Sequence, residues 1–472
     1  TFSSGSNYSK VRLLSLLLRA HALPDAVFYL GDNVADGDAF IQSELLRVLQ
    51  VGKALMAAAG GQALQFFYCY LRSESPVAVF QESLSGLFRA MAMECPLHVY
   101  RGIEYSRTRR DEDFASITQE WLGSPVDPIA PSQLPMVRLR DGLRHVISLA
   151  RAPSRAAVAT PLRRGATYLM TGALGEVGQA VCRELARRYG ARLVIFSRRA
   201  LDADTQRILA SLTADGATVL YRSVDLTDRA QLAMALASVK AEVGQIDGVF
   251  HLARVVSDGA LLHKEPEEFL RTMAAKVSGT LHLDELTAQE PLAFFVAFSS
   301  MAAFGIAGSA DYGYASAFQN ALMRNRHHRQ LAGACSGRSL ALCWGQWRAD
   351  AYSNEKRDAV LASMGFDFID APAALAKLEE ALGSAVTHEV LGVIAVRDER
   401  RISQLYGLDS ADGEPPRRAQ TTSAAVASTL SLGDLVALDD DLDGDEEAIK
   451  TQLMGRSVDQ LLELDRLLAA QI

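Results

Sequence analysis

Residues 166–199, ATYLMTGALGEVGQAVCRELARRYGARLVIFSRR, constrain the chain more than any other stretch. Residues 167–170 are a short apolar run suited to a buried strand. Gly172, Gly175 and Gly178 follow as G-x-x-G-x-x-G, and from Glu176 the pattern turns helical, with Val177, Val181 and Leu185 about a turn apart. Residues 193–196 make a second buried strand that ends in Ser197, Arg198 and Arg199. Strand, glycine turn, helix and strand in this order suit a dinucleotide: glycines let the backbone approach the pyrophosphate, and the free N–H groups of the helix start face the anion. The competing reading is a tight turn in an α/β protein that binds no nucleotide. The end of the second strand bears on which dinucleotide fits. An acid there serves the ribose hydroxyls of NAD, whereas an arginine accommodates a 2′-phosphate. Ser197, Arg198 and Arg199 with no acid point to NADPH, unless the arginines are only a solvated strand end.

A chain of 472 residues with 49% hydrophobic composition can bury the cores of two domains and still carry a tail. A net charge of −8 gives no reason to expect nucleic acid or a membrane surface, and no run approaches the ~20 apolar residues of a membrane span. Five cysteines (Cys69, Cys95, Cys182, Cys335, Cys343) show neither CxxC nor zinc spacing, so no metal is expected, and buried thiols in a reducing cytoplasm are. The start, TFSSGSNYSK, has no signal-peptide pattern and no initiator Met, as expected of a piece of a longer protein.

In the first 150 residues, strands are expected at 26–30, 64–71 and 97–105, with helices at 41–59 and 83–94. This is βαβα order with a parallel sheet, yet no glycine turn follows any of these strands. Residues 136–149 read as a hairpin turned at Asp141–Gly142, and 152–164 as a polar linker. Beyond the glycine turn, strands are expected at 218–222, 248–251, 293–298, 340–343 and 390–396. Asp225 closes the first of these, where an acid meets an adenine edge or simply caps, and Thr227 reads as the N-cap of the next helix. A helix over 265–286 carries Lys276; a loop leads to Tyr312 and Tyr314, and a helix runs on to about residue 330. Ligands of such sheets bind outside the carboxyl ends of the strands, where the glycine turn, Ala253, Ser300 and the loop to Tyr312 all fall.

Ser300, a nearby tyrosine and Lys276 fit the reduction of a carbonyl by hydride. The substrate oxygen becomes alkoxide-like and needs a proton. A tyrosine can give it, although an unperturbed pKa of about 10 is high for the task. A lysine ammonium ~4–5 Å away would stabilise the phenolate by about 3–4 kcal/mol at an effective dielectric of ~20. The serine would hold the carbonyl. Taken singly, each residue also has a bland reading: a solvated helix position, a strand-end cap, a loop anchor.

The stretches TYLMTGALGEVG, LVIFSRR, VDLTD, GVFHLARVVSDGALL, AAKVSGTLHL, FFVAFSSMAAFGIAGSADYGYASAF and LALCWGQW together resemble the ketoreductase region of modular polyketide synthases, in the short-chain dehydrogenase/reductase superfamily. The resemblance covers about residues 8–400. DYGYASAF and HKEPEEFL look most like the enzymes of synthases served by a separate acyltransferase. The resemblance implies an α/β fold of two Rossmann-like subdomains: an N-terminal structural one without a nucleotide site over 1–151, and a catalytic one with a doubly wound parallel sheet over 152–407. It makes Lys276, Ser300 and Tyr312 catalytic, with Tyr314 as runner-up to Tyr312, and places Gly172, Gly175, Gly178, Ser197, Arg198, Asp225 and Ala253 along NADPH. The family's asparagine, four residues after the tyrosine, falls on Ser316, which offers one hydroxyl in place of an amide. The fourth position of the usual H-A-A-G is Arg254. Asp258 stands where one stereochemical class keeps an aspartate, and the tryptophan of the other class is nearest to Phe304, so the resemblance implies a D-configured β-hydroxyl product. Residues 348–370, with Met364, match the family's lid.

The tail, 408–472, reads as a flexible linker, an acidic run at 439–447 and a C-terminal helix over 458–472. The implied partners are an acyl carrier protein bearing a phosphopantetheine-linked substrate and other domains of the same synthase. The basic cluster Arg324, Arg326, His327, His328 and Arg329 is either a contact for an acidic carrier or a solvated helix end. The expected activity is NADPH-dependent reduction of a β-ketoacyl thioester. The alternatives are a non-reducing relic with a structural or epimerase role, favoured by Ser316 and Arg254, and a docking scaffold, favoured by the tail helix.

Overall fold

The computed structural model describes residues 25–408, apart from 33, 59–60, 73–75, 107–114, 116, 119, 122–132, 141–142, 153–158, 349–354 and 384–388, and apart from the side chains of 355–357. The hairpin turn at 141–142, part of the linker (153–158) and everything expected of 409–472 fall outside the described residues.

The N-terminal half is built on β1 (Ala26–Leu30), β2 (Leu64–Leu71), β3 (His98–Tyr105), β4 (Gln133–Arg140) and β5 (Leu143–Ser148). β1 to β4 pair in parallel and β5 returns antiparallel to β4 as the expected hairpin. A continuous apolar run such as LQFFYCYL in β2 is what a strand covered on both faces requires. The helices are α1 (Leu46–Ala58), entered through a π-helical segment Phe40–Leu45, then α2 (Val77–Glu82) and α3 (Leu84–Glu94). The spatial order of this sheet simply follows the chain, β1-β2-β3-β4-β5. Its order never reverses, so it has no switch point at which a ligand crevice would open.

The second half holds β6 (Thr167–Thr171), α4 (Glu176–Tyr189), β7 (Arg192–Ser197), α5 (Ala203–Ala214), β8 (Thr218–Ser223), α6 (Arg229–Val243) and β9 (Gly248–His251). It continues with α7 (Pro266–Ala274), α8 (Ser278–Thr287), β10 (Phe294–Ser300), α9 (Ala310–Leu331) and β11 (Arg338–Trp344). It closes with α10 (Glu355–Ser363), β12 (Phe366–Asp367), α11 (Ala371–Gly383), β13 (Val390–Val393), β14 (Ala395–Val396) and α12 (Glu399–Tyr406). Seven of these strands form one parallel sheet in the order β13-β11-β10-β9-β6-β7-β8. The order reverses at β6 and β9, which places the crevice beside the glycine turn.

Four expectations are corrected. The single helix over 265–286 is two, α7 and α8, with Lys276 in the break between them. Tyr312 and Tyr314 lie in the first turns of α9, not in a loop ahead of it. The cap of α6 is Asp228, whose side chain accepts from the Gln231 N–H at 3.0 Å; Thr227 instead donates to Asp225. The last strand, 390–396, divides into β13, which pairs with β11, and β14, which pairs antiparallel with β12.

The two halves share one core. The Phe80 and Phe318 rings lie 4.8 Å apart, and the Tyr314 hydroxyl donates to the Phe80 carbonyl at 3.1 Å. Glu82 on α2 is ion-paired to both Arg138 and Arg324. The Glu94 carboxylate at the end of α3 accepts from the Leu261 and Gly308 N–H groups at 2.8 and 3.0 Å. The N-terminal half therefore grips α9 and the two loops beside the crevice.

Candidate active site

The glycine turn needs glycine at two positions in particular. Gly172 has φ +71°, and a Cβ on it would lie 2.6 Å from the Ala253 nitrogen. A Cβ on Gly178 would lie 2.3 Å from the Gly172 carbonyl oxygen, so α4 and the turn touch backbone to backbone. Gly175 is the N-cap of α4 and supplies no side-chain cap, which leaves the first N–H groups of the helix open to an anion.

One cavity of about 1330 Å³ runs along this edge. Gly172, Gly175, Gly178, Ser197, Arg198, Asp225 and Ala253 all line it, as do Ser300, Tyr312, Asp258 and Met364. Asp225 is partly committed, since its Oδ1 accepts from the Thr227 N–H and hydroxyl at 2.9 and 2.8 Å. Asp258 accepts from the Ser309 hydroxyl at 3.4 Å. Phe304 does not line the cavity; it packs beside Met301, Phe366 and Tyr406. Ser316 and Lys276 lie behind the wall, both buried.

The reactive cluster forms where β10 ends, α9 begins and the chain breaks between α7 and α8. The break turns Lys276 inward beneath the sheet. Its ammonium donates to the Phe298 carbonyl at 2.6 Å and to Gln319 Oε1 at 2.7 Å, and it lies 5.1 Å from the centre of the Tyr312 ring. Burial pushes the Tyr312 hydroxyl up, but the Lys276 and Arg254 cations, together with hydrogen bonds from Arg254 and Ser300, hold it below the usual phenol range. Burial also lowers Lys276, opposed by Tyr312 and reinforced by Arg254. Ser300 Oγ accepts from the Ala302 N–H at 3.2 Å, which sets its orientation at the strand end. Tyr314 takes no part: it does not line the cavity, and burial raises it far above the usual phenol value.

Two further supports were not legible in the sequence. Lys264 is buried and paired with Asp311 at 2.6 Å, and Asp311 in turn accepts from the Tyr312 N–H at 2.8 Å. This pair fixes the start of α9 and the loop that carries Asp258, since Lys264 also donates to the Ser257 carbonyl. The second support is Gln319, which touches Lys276 while the buried Ser316 hydroxyl finds no hydrogen-bond partner.

Residues 166–349 match the family model described as the KR domain. Over this stretch, about two fifths of its length, the chain is similar to KR domains. The chain is 35% identical over 287 residues to polyketide synthase ThaG of Burkholderia thailandensis, covering 59% of this chain and 5% of that protein. Identity to polyketide synthase PksL of Bacillus subtilis is 35% over 190 residues, covering 40% of this chain and 4% of that protein. The chain thus spans about a twentieth of the length of these relatives. Among solved structures, a ketoreductase domain from the bacillaene assembly line superposes with a TM-score of 0.72 at 22% identity, over 81% of this chain and 96% of that one. An A1-type ketoreductase superposes with a TM-score of 0.68 at 25% identity, over 85% of this chain and 83% of that one.

The basic cluster on α9 is not a free patch: Arg324 is held by Glu82, Arg326 and Arg329 by Asp284, and His327 lies 3.4 Å from Glu389. All five cysteines are free thiols, four of them buried. Among the described residues, no helix is long and apolar enough to cross a membrane.

Proposed function

We propose that this chain reduces the β-ketone of a carrier-bound acyl thioester to a β-hydroxyl with NADPH, within a polyketide assembly line. The observation that carries the reading is that Tyr312 and the strand-end Ser300 line the same cavity as the glycine turn, with the buried Lys276 ammonium behind the wall 5.1 Å from the Tyr312 ring. The residues present fit a dinucleotide. Gly172, Gly175 and Gly178 would admit its pyrophosphate to the start of α4, and Ser197, Arg198 and Arg199 would receive the 2′-phosphate. When bound, NADPH supplies a hydride to the carbonyl carbon. Ser300 holds the carbonyl oxygen, Tyr312 gives that oxygen a proton, and Lys276 keeps the resulting phenolate stable. Asp258 and Met364 line the same cavity, as do Val360 and Leu361 of α10, and the D-configured product is the one that the position of Asp258 implies. The half over residues 1–151 serves as a scaffold that holds α9.

The test is NADPH oxidation with a short β-ketoacyl thioester, comparing the native chain with Tyr312→Phe. Loss of the general acid should slow turnover by about a hundredfold or more. Arg254, a cation inside the cavity, favours a second reading: a site that binds the cofactor and acts on the substrate without reducing it. NADPH binding without oxidation, on a carrier-bound substrate as well, would select that reading.

A further inference from the structure

The ammonium of Lys276 is almost completely buried, so each of its protons needs an acceptor. The Phe298 carbonyl supplies one and the Gln319 carboxamide another. Gln319 is itself buried and is fixed from its other end, where Nε2 donates to Thr280 Oγ1 at 3.1 Å. Thr280 in turn donates to the carbonyl of Lys276. Lysine, glutamine and threonine thus close a ring of hydrogen bonds from α9 to α8 around the chain break. Ser316, one turn after Tyr312 on the same helix, is buried with an unpartnered hydroxyl and gives Lys276 nothing.

We infer that Gln319 is a positioning residue of this site: it holds the Lys276 ammonium against Tyr312, a task the shorter Ser316 does not reach. The inference rests on the reading of Tyr312 and Lys276 as the proton-handling pair. Sequence position alone hides it, because a glutamine seven residues after the tyrosine reads as a polar helix face. The groups that face Lys276 are Tyr312 on α9, Arg254 after β9, Cys343 on β11 and His251 on β9. His251 is held neutral, pushed down to about 3 by burial and then by Lys276, so it adds no competing charge at working pH. Gln319 is a neutral partner that can fix the ammonium without cancelling its field at Tyr312.

The test replaces Gln319 by methionine, which keeps the shape and removes the acceptor. Two readouts are taken on the whole chain: the alkaline limb of NADPH oxidation against pH, and the tyrosinate absorbance of Tyr312, obtained by difference from the Tyr312→Phe chain. Gln319→Met should lower kcat by about tenfold to a hundredfold, the usual weight of a hydrogen bond to a charged group. Both the limb and the tyrosinate titration should move to higher pH. Adding Ser316→Asn, which brings a carboxamide to the same helix face, should recover part of the rate and bring the titration back. An unchanged titration in Gln319→Met, or a loss that Ser316→Asn does not relieve in a folded chain, overturns the inference. Should Gln319→Met not fold, Gln319→Glu carries the test. A carboxylate there opposes the Lys276 field, and the Tyr312 titration must rise. The absorbance needs no turnover, so a native chain that never oxidises NADPH but shows these shifts refutes the reductase reading and leaves the positioning role standing.

Discussion

Gly86 on α3 and Gly313 on α9 meet so closely that a Cβ on Gly86 would lie 2.1 Å from the Gly313 carbonyl oxygen. Gly313 directly follows Tyr312, so the contact between the halves also backs the turn of α9 that carries Tyr312.

Gly86→Ala should therefore act at two levels. The methyl group meets backbone, not a side chain that can swing away, and overpacking of this kind costs about 1–3 kcal/mol. Thermal unfolding should report a lower midpoint, and turnover at a temperature where the variant is folded should also fall. A variant as stable and as active as the native chain would mean that the halves part easily at this point.

Cofactor discrimination should lie at the end of β7. Arg198 lines the cavity beside Ser197, and no acid stands there. Arg198→Ala should raise KM for NADPH by about tenfold, through loss of a charge-assisted contact with the 2′-phosphate, and leave KM for NADH nearly unchanged. Steady-state kinetics with both cofactors checks this; equal changes for the two would remove the 2′-phosphate from the argument.

A pH dependence of stability should come from the N-terminal half. Glu44 lies in the π-helical segment after β1 and is fully buried. Burial first, then the Asp32 carboxylate, pushes it from the ordinary 4.5 up to about 7, against the pull of Arg47. Between those values the folded chain keeps a proton that the unfolded chain gives up. The contribution is complete below about 4.5 and is lost as pH rises through about 7. Glu44→Gln has nothing to titrate. The stability of the variant relative to the native chain should rise across that window by about 2–3 kcal/mol, measured by denaturant unfolding at several pH values. A difference that stays flat would show that Glu44 remains ionised in the fold.

What the sequence made legible follows from what each signal depends on. The strands of the second half were readable to within two residues at most ends, because continuous apolar runs bounded by polar turns depend only on local burial. The glycine turn was readable because close backbone approach leaves no residue but glycine at Gly172 and Gly178. The break at Lys276 was not, since residues 274–277, AAKV, hold no proline or glycine to end a helix. Its cause is tertiary: the lysine has to reach the Phe298 carbonyl and Gln319. The Lys264–Asp311 pair was invisible for the same reason, its members being 47 residues apart and each unremarkable alone. Phe304 is the nearest residue to the position of a family tryptophan ahead of the tyrosine, and no spacing rule says which wall of a cavity such a ring joins.

The shared core defines what can be exchanged as a unit. α9 carries Tyr312 on the cavity side and rests on α2 and α3 on the other, with Phe318 against Phe80 and Arg324 on Glu82. A transplant cut between the halves, near residue 151, would give α9 a foreign backing whose side chains had never been fitted to it. Chimeras built from this chain should keep both halves from the same parent, so that α9 stays on the α2 and α3 surface that fits it.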